Sequence, residues 1–127
     1  MPFIAFNKAF SPDIPEDLRI NTAAVLYVEG SRLNSVGQTT IHLLGQGVTV
    51  NAVTESITSV VNEIGGLVAA TRHYLAPPPA EGASTVYISP VNISFMRPNL
   101  PALPDFWVVH FVDGSELRVV APLPIGL

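Results

Sequence analysis

The chain has 127 residues, 48% of them hydrophobic, with a net charge of −4, which is enough for one domain or two small fused half-domains with a core. Six scattered basic residues against ten acids argue against a dedicated nucleic-acid surface, because duplex binding rests on neutralising phosphates. With no cysteine there is no disulfide, thiolate nucleophile or cysteine-based metal site.

The N-terminal MPFIAFNKAF lacks the basic and long apolar regions of a signal peptide, and no run approaches the roughly 18 apolar residues of a membrane span. A charged fraction of 13%, about half the usual quarter, leaves a surface covered by Ser, Thr, Asn and Gln or by another protein.

In chain order, strands are expected near 3–7, 18–29, 38–44 and 47–53, as β-branched and aromatic runs bounded by Pro, Gly, Asn and Ser. The run from Ile20 to Glu29 is apolar on both faces: Ile20, Thr22, Ala24, Leu26 and Val28 on one, Ala23, Val25 and Tyr27 on the other. That pattern suits a strand buried on two sides. A helix follows over 54–65, with Ile57, Val60, Val61 and Ile64 forming one stripe. Thr54 is its expected cap, Glu55 suits the positive dipole end, and Gly65-Gly66 stop it.

Further strands are expected near 68–75, 85–96, 106–112 and 115–121. Val112-Asp113-Gly114-Ser115 is read as a two-residue type I′ hairpin. APLPIGL closes the chain and cannot be helical with two prolines. The Pro-rich segments 76–84 and 98–104 read as extended arms.

The second set of strands repeats the first. A shift of 68 carries Leu18 onto Val86, Ile20 onto Ile88, Val25 onto Ile93 and His42 onto His110. It also lays Phe3–Phe6 over Thr71–Tyr74, and one extra residue enters at Asp113 before Gly45 and Gly114 correspond. The expected fold is therefore mainly β: a duplicated four-stranded unit forming a barrel-like sandwich, with one amphipathic helix after the first copy. Residues 1–66 form the first repeat and residues 67–127 the second, with its Pro-rich tail.

Residues 20–64 carry Asn21 after a first strand, a strand ending in Glu29, Thr40 and Leu43 in a T-x-I-x-L strand, Gly45 in a turn, Val50 in a V-x-V strand and Ser56 opening a helix. This pattern resembles the small β domain of the FlbD-type swarming motility family, a style also common among small tailed-phage proteins. The resemblance covers about 45 residues, with a weaker echo over 85–120, and implies a structural β domain with no catalytic residues. The duplication and the Pro-rich arms depart from it.

Candidate chemistry is sparse. His42, His73 and His110 read as ordinary strand residues, since zinc needs three or four convergent ligands and the carboxylates Asp13, Glu16, Asp17, Glu81, Asp105 and Asp113 fall in loops and turns. The Asp13, Glu16, Asp17 group lacks calcium-loop spacing, and Gly45-Gln46-Gly47 precedes a strand rather than the helix of a phosphate loop. There is no G-x-S-x-G elbow. No enzyme, cofactor or metal is expected.

Phe3, Phe6 and Phe10 form an apolar N-terminal arm, and Pro124 and Ile125 an apolar tail. Contiguous apolar ends mark interfaces, and extended arms suit edge addition to a neighbour. With Tyr27, Phe106 and Trp107 these are the expected interaction residues.

The expected function is a non-enzymatic assembly protein that associates with itself, for example as a trimer, and with a larger protein assembly. Concretely, that is a phage virion component such as a capsid cement or tail accessory protein, assembled in the host cytoplasm. The alternative is a regulatory or single-stranded nucleic-acid-binding domain using Phe95, Arg97, Phe106, Trp107 and Arg118, although stacking platforms come with a positive groove.

Overall fold

The computed structural model describes residues 3–8, 16–30, 39–45, 51–73, 85–98 and 106–127. The chain is mainly β, with one α-helix among these residues, and its strands pair antiparallel. The first copy contributes β1 (Phe3–Lys8), β2 (Glu16–Asn21), β3 (Val25–Gly30), β4 (Thr39–Leu43), β5 (Asn51–Val53) and α1 (Ile57–Ile64). The second contributes β6 (Val68–Thr71), β7 (Thr85–Ile88), β8 (Ile93–Pro98), β9 (Phe106–Phe111) and β10 (Glu116–Val120). The segments 76–84 and 99–104 expected as arms lie outside the described residues, as does Phe10.

The duplication is visible in detail. Each long strand expected from the sequence is present but broken by a 3-10 turn, Thr22–Ala24 in one copy and Pro90–Asn92 in the other, 68 positions apart. Asn21 starts the first turn by accepting a hydrogen bond from the Ala23 N–H at 3.0 Å. Pro90 serves the second, where a missing N–H costs nothing. Leu44 N–H bonds Ala24 O at 2.8 Å and Val112 N–H bonds Asn92 O at 2.9 Å, again equivalent positions.

In the first hairpin the repeat slips relative to the sequence reading. Ile4 pairs with Ile20 but Val68 pairs with Ile88, so the ladder sets Phe3–Phe6 against residues 67–70 rather than Thr71–Tyr74. The two hairpins therefore differ by four residues in the length of chain between equivalent paired positions.

Strand order is β2-β1-β5-β4-β3-β7-β6 in the large sheet and β10-β9-β8 in the small one. A single bridge, Arg72↔Val119, joins β6 to β10, as the single pair Lys8↔Val53 joins β1 to β5. Both copies therefore follow one strand plan, and they meet where β3 pairs with β7.

β3 is the wall between two cores, buried along Val25–Glu29. A register shift between Val25 and Tyr27 changes the phase of the strand. Strict alternation would put Leu26 and Val28 together. Instead Val25 and Val28 join Phe6, Ile20, Ile41, Val53 and Val60 in one core. Leu26 and Tyr27 join Val86, Ile88, Val109, Phe111, Leu117 and Val119 in the other. The same shift recurs between Ile93 and Phe95 in β8.

α1 covers the first core with Ile57, Val60, Val61 and Ile64, as its stripe requires. Its cap is Ser56 rather than Thr54, accepting from Ser59 N–H at 3.3 Å. The start moves because β4 holds the preceding chain: Thr39 Oγ1 donates to Glu55 O at 2.8 Å. Gly65, at φ 73°, ends the helix as expected, donating to Val61 O at 2.9 Å.

The β9–β10 turn is a three-residue loop, not the two-residue type I′ form. Phe111 O accepts from Gly114 N–H at 3.0 Å, and Phe111 N–H donates to Ser115 O at 2.9 Å. This pattern is a type I turn followed by a left-handed glycine, here Gly114 at φ 91°. It leaves the Asp113 carboxylate free to act as an acceptor. The tail then turns back, with Leu123 and Leu127 packed on the second core.

Candidate functional site

Among the described residues, a buried polar cluster sits at the seam between the copies. Glu29 reaches it because β3 is buried on both faces, which leaves its carboxylate 5% exposed. Burying a lone carboxylate is costly, so a partner must come with it. Arg72, just beyond β6, supplies one: its Nη1 donates to Glu29 Oε2 at 2.7 Å. His42, on β4 beside β3, brings Nε2 to 3.6 Å from Glu29 Oε1, an ion-pair distance too long for a hydrogen bond. Its ring stacks on Tyr27 at 4.1 Å, and Tyr27 stacks in turn on Phe111 of the second copy at 5.9 Å.

The equivalent place in the second copy is wired differently. Phe95 replaces Tyr27 and stacks on His110 at 4.2 Å. Arg97 replaces Glu29, and its Nε donates to His110 Nε2 at 3.0 Å, with Glu116 at 3.6 Å from Nδ1. The charge at this position is thus inverted between copies. The first cluster is buried and the second open: Tyr27 is 9% exposed and Phe95 53%.

Two further links cross the seam. Asn92 is buried and its Nδ2 donates to Ala23 O at 2.8 Å and Val25 O at 2.7 Å, tying one 3-10 turn to the other. Asp113 Oδ2 accepts from Gly45 N–H at 2.9 Å, joining the two hairpin turns. Slight burial pushes the Asp113 carboxyl upward. Hydrogen bonds from the Ser115 hydroxyl, Gly45 N–H and Ser115 N–H outweigh it, and the carboxyl sits below its ordinary value of 3.8.

His73 stacks on Phe106 at 4.2 Å, and the Arg118 guanidinium lies over the same Phe106 ring at 5.5 Å. Among the described residues, buried His42 Nε2 and His73 Nδ1 have no hydrogen-bond partner, and no three His, Asp or Glu side chains converge as a metal site would need. A cleft of about 220 Å³ lies between the 3-10 turns and the end of α1, lined by Thr22, Ala23, Gly65, Gly66, Ser89 and Val91. Its lining carries hydroxyls and backbone but no titratable group.

The expected interaction residues scatter. Phe3 is 56% exposed on β1, whereas Phe6 is buried in the chain's own first core. Tyr27 lies in the second core and Trp107 packs against it. Phe106 is occupied by His73 and Arg118. In the tail, Pro124 O accepts from Leu127 N–H at 3.2 Å, while Ile125 is fully exposed. Of the described ones, Phe3 and Ile125 are exposed and Phe6 and Tyr27 buried.

Sequence reading passed over Glu29, Arg72, Asn92 and Asp113 as seam residues. Glu29 could have been found, since an acid in a run apolar on both faces demands a buried cation. Arg72 and Asn92 gave no local signal. No family model, curated protein or solved structure matches the chain.

Proposed function

We propose that this protein is a non-enzymatic assembly component that acts as a homo-oligomer within a larger protein structure, in the manner of a phage capsid cement or tail accessory protein. The observation that carries this reading is the inequality of two equivalent strands. β3 is covered on both sides, whereas β8, built on the same plan 68 residues later, ends its sheet among the described residues, with Phe95 exposed. Exposed apolar surface beside an unpaired edge is a liability that a partner removes. Phe3 and Ile125 add apolar contact points elsewhere.

Among the described residues, Glu29 and Arg72 satisfy one another as a buried pair, and the cleft between the turns is lined by hydroxyls, backbone and apolar side chains. The absolute mass of the untagged protein, by light scattering coupled to size exclusion, tests the reading. A mass of two or more chains is expected, and one chain at all concentrations overturns it. Binding to a single-stranded oligonucleotide that weakens steeply with salt would instead favour the regulatory alternative.

A further inference from the structure

We propose that the open edge of β8 pairs with β2 of a second copy of this chain, in the register that β3 and β7 already use within one chain. This rests on the assembly reading and names its surface. The internal interface supplies the template: Tyr27↔Ile88, Val28↔Tyr87 and Glu29↔Val86. Adding 68 to the β3 residue and subtracting 68 from the β7 residue gives Phe95↔Ile20, Met96↔Arg19 and Arg97↔Leu18. The flanking bond from Ser89 N–H to Leu26 O at 2.9 Å becomes one from Asn21 N–H to Ser94 O by the same arithmetic.

Among the described residues neither edge has a further strand beside it. β2 is the outermost strand of the seven-stranded sheet and β8 the outermost of the three-stranded sheet. Within one chain β2 pairs with β1 and β8 with β9, and the two edges do not pair with each other. A second copy can satisfy both. Covering β8 would bury Phe95 as Tyr27 is buried in the first copy.

Pro98, a residue that normally blunts a sheet edge, falls one position past the last templated pair and limits its length instead. Because β8 meets β2 and not itself, the contact closes either as a reciprocal pair of copies or as a ring.

The chain has no cysteine, so engineered ones report cleanly. Arg19→Cys and Met96→Cys chains, each checked for native circular dichroism, are mixed and oxidised. A covalent dimer containing one of each, in large excess over either homodimer, is the expected result. Equal homodimer yields overturn the register, and so does an internal disulfide in the double variant of one chain. A multi-chain mass with no 19–96 cross-link overturns this pairing but leaves assembly standing, whereas a one-chain mass overturns both.

Discussion

At the scale of single residues, the seam shows how a buried charge dictates its surroundings. Glu29 is held by Arg72 at 2.7 Å, and removing the cation leaves a carboxylate with little access to water. Arg72→Met should therefore destabilise the fold by about 3 kcal/mol in urea unfolding. Adding Glu29→Gln should return part of the loss, a coupling that a double-mutant cycle reads directly. Asp113 makes a pH-dependent contribution of known sign. Its folded value is depressed, so the stabilisation is complete above its ordinary 3.8 and disappears as pH falls through the lower folded value. Asp113→Asn should be less stable than the native chain at pH 7, and the difference in urea midpoint should close by about pH 2.

At the scale of elements, backbone groups that leave the sheets at the 3-10 turns need other partners. Asn92 provides them by donating to Ala23 O and Val25 O, while its own backbone carbonyl takes Val112 N–H. Asn92→Ala should cost roughly 2–3 kcal/mol, since two carbonyls lose a buried donor. Asn92→Asp should cost more, because it sets a carboxylate against carbonyl oxygens.

The tail depends on Gly126, at φ 107°, where an added Cβ would stand 3.1 Å from Val68 Cγ2. Gly126→Ala should lower stability by about 1–2 kcal/mol in thermal melts. α1 has eight residues, too few to stand alone, so its existence depends on burying Val60. Its periodic stripe and Gly65-Gly66 stop were legible because they are local. Its cap was read from the residues as Thr54 and from the resemblance as a start at Ser56, and the contact from Thr39 to Glu55, from a strand distant in sequence, accompanies the Ser56 cap.

At the scale of the whole molecule, β3 belongs to both cores, so neither copy can unfold while leaving it intact. Trp107, the one tryptophan, reports the second core, and α1 reports the first through its helical circular dichroism. The two signals should give coincident denaturation midpoints, and separation by more than about 0.3 M urea would mean independent halves.

By itself the sequence determined the β class, the 68-residue repeat, the stripe of α1 and the double-sided burial of the strand that became β3. Hydrophobic periodicity and turn chemistry are short-range properties that every copy carries with it. The tertiary structure decided the phase of β3, the partners of Glu29, the role of Asn92 and the contrast between a covered Tyr27 and an exposed Phe95. Those depend on which edges meet. Two copies of one strand plan fall into different environments because β3 pairs with β7, whereas among the described residues β8 has no strand on the equivalent edge.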